Sequence, residues 1–215
     1  MLNEEDKKQI QIQLEKMVNP VLLNFFTQQL VGACQYCLET ERLLKELTEL
    51  SNLLTLNIFN FVTDKDQVQA SKIDKIPAIV IQAEKDVGIR FYGIPTGYEF
   101  ASFLQLILML SQNSSGLSDV LIKRLDQIQS PVHIQVFVTP TCPYCTRAAS
   151  TAYQFAMEND HISADVIEIS EFPHLAQKYS VMGVPKVVIN ESHSFEGALP
   201  EELFLEHMET ALNLS

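Results

Sequence analysis

Four cysteines occur in the 215 residues, and they form two pairs with one spacing: Cys34-Gln35-Tyr36-Cys37 and Cys142-Pro143-Tyr144-Cys145. The second pair has the more telling surroundings. Val136, Phe137 and Val138 read as a strand, Thr139-Pro140-Thr141 breaks it, and Ala149, Ala152, Tyr153 and Ala156 then recur at helical spacing. Two cysteines three residues apart at a strand-to-helix junction suit dithiol–disulfide exchange. The attacking species is a thiolate, and the first turn of a helix offers unpaired N–H groups and the positive end of its dipole. In such sites the pKa falls from about 8.5 into a range of roughly 3.5–7.5. Cys142 is therefore read as the nucleophile, with Cys145 on the same helix face to resolve the mixed disulfide. Pro143 suits the helix start, where its missing N–H leaves no bond unmade. The alternatives are a static disulfide or half a zinc site. Zinc ribbons place two such pairs about 15–20 residues apart, whereas 104 residues separate Cys37 from Cys142.

Composition bounds the rest. The chain is long enough for one large domain or two of about 100 residues. At 47% hydrophobic residues it can bury a full core without structural disulfides. The formal net charge of −12, without any Lys/Arg cluster, argues against nucleic acid and anionic membranes as partners. The acidic segment Met1-Leu2-Asn3-Glu4-Glu5-Asp6-Lys7-Lys8 lacks the apolar core of a signal peptide. The apolar run 100–110 contains Ser102 and Gln105 and is too short to span a bilayer. The expectation is a cytoplasmic protein, where reducing conditions favour catalytic over structural cysteines.

An internal repeat organises the chain. Cys34 to Pro77 and Cys142 to Pro185 each span 43 positions, so a shift of 108 superimposes both cysteine pairs and both prolines. Asn19-Pro20-Val21 likewise answers Ser130-Pro131-Val132. The first copy reads as a helix over 4–18 with Ile10, Leu14, Met17 and Val18 on one face, then a strand over 21–27. A looser approach over 28–33 leads to Cys34, and a helix follows with Leu43, Leu44, Leu47 and Leu50 inward. A strand over 54–62, a short helix over 65–73, a hairpin of 78–82 with 87–92, and a helix over 97–111 complete it. Asn113-Ser114-Ser115-Gly116 is linker-like. The second copy repeats the order: helix 117–129, strand 132–138, helix 144–158, strand 164–169, helix 172–180, strands 186–190 and 193–196, and a last helix from Pro200. The fold class is α/β: two tandem thioredoxin-like units, residues 1–112 with the Cys-Gln-Tyr-Cys site and 113–215 with the Cys-Pro-Tyr-Cys site. Each has a mixed central sheet flanked by helices, parallel where helices cross over and antiparallel in the final hairpin.

The chain as a whole resembles the protein disulfide oxidoreductases made of two fused, glutaredoxin-like thioredoxin-fold units. The resemblance rests on Met17-Val18-Asn19-Pro20-Val21, on both cysteine motifs with Phe137-Val138-Thr139-Pro140-Thr141 before the second, and on Val181-Met182-Gly183-Val184-Pro185-Lys186. Phe195-Glu196-Gly197-Ala198 and Pro200-Glu201 support it. It implies that the units pack into one continuous structure with redox-active disulfides Cys34–Cys37 and Cys142–Cys145. It also implies that Pro77 and Pro185 are cis and lie against the cysteines, leaving the polar groups of Ile76 and Val184 free for a substrate backbone. The activity implied is reduction, formation or isomerisation of protein disulfides, with net reduction as the expected direction and Cys142/Cys145 as the leading site. No bound cofactor is expected; electrons would come from a thioredoxin reductase-like flavoprotein. An alternative is an electron relay to a peroxiredoxin, since alkyl hydroperoxide reductase flavoproteins carry a similar pair of units.

Three departures stand out. No tryptophan is present, and the position six before each first cysteine, where thioredoxins keep a buried acid, holds Gln28 or Val136. The proton acceptor is left to water or to another carboxylate. After Pro185 comes Lys186-Val187-Val188-Ile189-Asn190 in place of the glutathione-binding Gly-Gly and Asp of glutaredoxins. Tyr36 and Tyr144 lie between the reactive cysteines and are expected to shape substrate access. Lys186 reads as solvated, and the five histidines have no metal-ligand spacing.

Overall fold

The computed structural model describes residues 1–28 and 34–213. The expected loose approach to Cys34 lies, apart from Gln28, outside the described residues. In chain order the elements of the first repeat are α1 (Glu4–Leu14), β1 (Val21–Thr27), α2 (Cys37–Thr48), β2 (Leu54–Asn60), α3 (Lys65–Ala70), β3 (Ala78–Gln82), β4 (Ile89–Tyr92) and α4 (Tyr98–Gln112). The second repeat supplies α5 (Asp119–Leu125), β5 (Val132–Val138), α6 (Cys145–Glu158), β6 (Ile162–Glu168), α7 (Pro173–Lys178), β7 (Lys186–Ile189), β8 (His193–Glu196) and α8 (Glu201–Asn213).

Both repeats build one topology. In the first, β1 pairs parallel with β2 and antiparallel with β3, which turns back into β4. In the second, β5 stands between parallel β6 and antiparallel β7, with β8 as the hairpin partner. The backbone hydrogen bonds at the strand ends match as well. Val21 N–H donates to Leu53 O and Val132 N–H to His161 O; Gly93 N–H donates to Pro77 O and Gly197 N–H to Pro185 O, all within 2.8–2.9 Å. The mixed sheet flanked by helices is thus the thioredoxin architecture, formed twice.

The chain divides into two compact units: Met1–Asp86 with Arg90–Ile94 and Ile107–Ser114, and Val87–Ile89 with Pro95–Leu106 and Ser115–Ser215. The start of α4 therefore packs with the second repeat. In the first unit, α1 is capped by Asn3, whose side chain accepts from Asp6 N–H at 2.8 Å. It ends at Leu14, earlier than its apolar pattern suggests, so Met17 is buried but Val18 is exposed. Ser111 holds the chain that follows: its Oγ accepts from Val18 N–H and donates to Asn19 O. Those bonds take the place of further helical ones.

The core of the second unit centres on α6. The inner face of α6 is lined by Ala148, Ala149, Ala152 and Ala156, which bring the helix close to β5 and β6, with Phe155 edge-on to Phe204. Burying a side chain of that size contributes about 1.5–3 kcal/mol. No helix among the described residues is long and apolar enough to cross a membrane.

Candidate functional site

Each cysteine pair ends in the first residue of a helix, Cys37 in α2 and Cys145 in α6, and each pair is joined as a disulfide with its Cα atoms 5.5 Å apart. The leading cysteines lie ahead of the helices, not within them. Cys142 belongs to a turn closed by its N–H to Thr139 O at 3.1 Å, and its carbonyl accepts from Cys145 N–H at 3.3 Å. The expectation that Cys142 and Cys145 share a helix face, with Pro143 at the helix start, is corrected accordingly: Pro143 sits in the turn two residues before α6. Its missing N–H is still harmless there. Neither α2 nor α6 has a side-chain hydrogen bond at its N-cap residue, Tyr36 or Tyr144. That leaves the positive helix ends to the sulfurs.

Exposure separates the members of the second pair. Cys142 is 8% exposed and Cys145 not at all, so only the first sulfur can meet a large partner. Cys142 Sγ stands 3.6 Å from the carbonyl oxygen of Val184. The Val184–Pro185 and Ile76–Pro77 bonds are both cis, as the family resemblance implies. Both prolines are buried, with Ile76 and Val184 half-buried beside them. Around Cys142 the surface is apolar and open: Tyr144 is 70% exposed, Met182 is 92% exposed, and Gly183 lies between Met182 and Val184. In the first pair Cys37 is buried, while Cys34 and Tyr36 are half-buried.

Lys186 is not the solvated residue expected from its charge. Only 12% of its side chain is exposed; Nζ donates to Ser180 O at 3.2 Å and lies 3.9 Å from Glu196. It ties the loop before Pro185 to β7. The histidines are engaged elsewhere, His133 with Asp165 at 2.8 Å and His193 with His207 at 2.9 Å. Among the described residues no cluster of three or more His, Cys, Asp or Glu is placed to hold a metal.

One buried carboxylate that pattern reading did not single out lies in the same compact unit as Cys142. Glu99, in the first turn of α4, is 1% exposed. Burial pushes its carboxyl up to about 7, against a weaker opposing hydrogen bond from Ser102. Its Oε2 accepts from Ser102 Oγ at 3.1 Å, and its Oε1 has no partner. The neighbouring Tyr98 N–H donates to Pro140 O at 2.9 Å, two residues before Cys142. On α6, burial and then Glu99 raise the Tyr153 hydroxyl well above its usual pKa. The signal was there to read: Glu99 is the lone charged residue in the mostly apolar helix Tyr-Glu-Phe-Ala-Ser-Phe-Leu-Gln-Leu-Ile-Leu-Met-Leu-Ser-Gln.

Residues 132–210 match the family model described as a thioredoxin domain. A protein disulfide oxidoreductase from Aeropyrum pernix K1 is 33% identical, superimposes with a TM-score of 0.91, and is matched over 98% of this chain and 94% of its own. The NTD_N/C domain of alkylhydroperoxide reductase AhpF from Enterococcus faecalis is 25% identical with a TM-score of 0.88, over 97% and 100% of the two chains. Among curated proteins, the alkyl hydroperoxide reductase AhpF of Staphylococcus epidermidis is 27% identical over 88% of this chain and 34% of its own length. That of Xanthomonas campestris pv. phaseoli is 24% identical over 98% and 37%. The chain spans about a third of the length of these curated relatives.

Proposed function

We propose, from the premise that this chain belongs to the protein disulfide oxidoreductases built of two thioredoxin-like units, that it reduces disulfides of protein substrates through Cys142 and Cys145, with Cys34 and Cys37 as a second site. The observation that carries the reading is the asymmetry of the second pair: Cys142 is 8% exposed and 3.6 Å from the Val184 carbonyl, whereas Cys145 is fully buried. In the reduced enzyme the Cys142 thiolate attacks one sulfur of the substrate disulfide; the other sulfur leaves as a thiolate and takes a proton from water. Cys145 then gives its proton to water and attacks the Cys142 sulfur. The second substrate thiol is released, and the two electrons have passed from the dithiol to the substrate.

Val184 and Pro185, with Tyr144 and the exposed Met182, would hold an extended substrate segment over Cys142. Ile76, Pro77 and Tyr36 are the corresponding substrate-binding residues of the first site. A cytoplasmic setting, and electrons from a thioredoxin reductase-like flavoprotein, belong to the same reading.

The similarity to alkyl hydroperoxide reductase AhpF favours a second reading, in which the dithiols relay electrons from such a flavoprotein to a peroxiredoxin. Turnover on a disulfide-bonded protein such as insulin, compared with turnover on a purified peroxiredoxin, decides between them. Faster insulin reduction supports the first reading. Turnover confined to the peroxiredoxin establishes the second, and absence of both overturns the proposal.

A further inference from the structure

The turn 139–142 carries Cys142 out of the sheet and onto the substrate-facing surface. Its ends are tied by the Cys142 N–H to Thr139 O bond. Pro140 occupies the second position, for which its restricted φ is suited. The freedom left in such a turn is that of its central peptide, and the carbonyl of that peptide belongs to Pro140. A rotation there swings the backbone of Thr141 and Cys142, and with it the direction of the cysteine side chain.

That carbonyl is held from outside the turn by a segment more than forty residues earlier. Tyr98 N–H, at the head of α4, donates to Pro140 O at 2.9 Å. Gly97, immediately before it, has φ +61° and presses its backbone against the same peptide. A Cβ at position 97 would overlap the Pro140 carbonyl oxygen and stand 2.8 Å from its carbonyl carbon. The obstacle is backbone and cannot rotate aside as a side chain would. Glycine is thus demanded twice, by conformation and by space.

We infer that Gly97 and the backbone N–H of Tyr98 form a positioning clamp on the central peptide of the 139–142 turn, which sets the reactivity of the Cys142 sulfur. The inference rests on the proposal that Cys142 is the attacking residue. It assigns to a Thr-Gly-Tyr segment with no chemistry of its own the task of holding Sγ against the Val184 carbonyl. Because Gly97, Tyr98 and Pro140 fall in one compact unit, the clamp acts on the second dithiol without involving the first.

The test reads Cys142 and Cys34 separately in the reduced full-length protein, by peptide-resolved alkylation across pH and by the rate of reaction with a model disulfide. Gly97→Ala forces the Pro140 peptide to move. Tyr98→Pro removes the N–H, together with the half-exposed phenol ring, at a first helical position where proline is otherwise tolerated; Tyr98→Phe keeps the N–H. Misplacing a reacting group by about an ångström slows a reaction by up to about 100-fold. Gly97→Ala and Tyr98→Pro should accordingly slow Cys142 by about 10- to 100-fold. They should also raise its alkylation midpoint and leave Cys34 unchanged, with Tyr98→Phe matching the wild type. A merely structural role would not shift the Cys142 midpoint selectively.

Folded variants with wild-type profiles at Cys142 overturn the clamp. So does a Tyr98→Pro chain that fails to fold where Tyr98→Phe folds, since the N–H would then serve the fold alone. If Gly97→Ala does not fold, the Tyr98 pair decides. Wild-type Cys142 that resists alkylation at mildly acidic pH sinks the functional proposal itself, a result distinct from either of these.

Discussion

The two dithiols share their spacing and a buried cis proline, yet they sit in different surroundings. Behind Cys142 the supporting strand β6 is buried along almost its whole length, and α6 presents a continuous alanine face. Behind Cys34 the equivalent strand β2 is half open, with Ile58 39% exposed, and α2 packs through Leu43, Leu44 and Leu47. Every buried carboxylate among the described residues belongs to the second unit: Glu99, Asp165 and Glu168. Duplication thus preserved the bond pattern of the sheet and the position of the sulfurs. It did not preserve the dielectric around them. Thiol chemistry depends on the stabilisation of charge, so equal motifs need not have equal potentials; related folds range from about −270 to −120 mV.

The comparison breaks most directly at the sulfurs. In a Cys34→Ser, Cys37→Ser background, adding Cys142→Ser should remove disulfide reduction by about 10⁴-fold or more, the scale expected when a covalent nucleophile is lost. Insulin turbidity or a fluorescent disulfide measures it. Conversely, Cys34→Ser alone should leave most of the activity. Full activity in Cys142→Ser combined with loss in Cys34→Ser would reverse the ranking of the two sites.

Packing supplies the next contrast. Phe155→Ala empties a fully buried aromatic position between α6 and α8 and should destabilise the protein by about 3–5 kcal/mol. Ile58→Ala on the half-open strand of the first unit should cost less than about 1 kcal/mol, with urea titration measuring both variants. Equal costs would mean that the two cores are equally tight despite their different exposure.

Glu99 gives the difference a pH dependence. Its carboxyl titrates at about 7 in the folded chain against an ordinary value of 4.5, so folding favours its protonated form. That stabilisation is complete below about pH 4.5 and is lost as pH rises through about 7. Glu99→Gln, which stays neutral, should therefore match the wild type at pH 4.5 and exceed it at pH 8 by on the order of 2–3 kcal/mol. A stability difference that does not change between the two pH values would remove Glu99 from the account.

The smallest effect concerns Lys186. Its Nζ is bound to a backbone carbonyl and lies near Glu196. Lys186→Met should shift the alkylation midpoint of Cys142 by less than about half a pH unit, since a screened, partly paired charge contributes little at a distance. A shift of a full unit would mean that the lysine does steady the thiolate.

The repeat and the strand order were legible because cysteines, prolines and alternating apolar residues are punctuation that the backbone must obey. Helix ends were less so: Val18 fits the stripe of α1 but lies beyond its end, since Ser111, ninety-three positions away, binds the chain there instead. Lys186 was misjudged for a similar reason. Charge suggests solvent, but a long apolar stem can be covered while its tip finds a carbonyl.

What the amino-acid order determined by itself is local and periodic: two Cys-X-X-Cys pairs, each at a strand-to-helix junction, and a proline 43 positions after each leading cysteine. What the tertiary structure alone decided is which non-local groups surround those sulfurs. It brought a Gly-Tyr-Glu segment, at the head of the helix that closes the first repeat, against the turn of the second, as no spacing rule could foretell. Periodicity constrains which face of an element turns inward. Only the packed chain sets what that face then meets, and burial by those neighbours governs whether a charge there is stable.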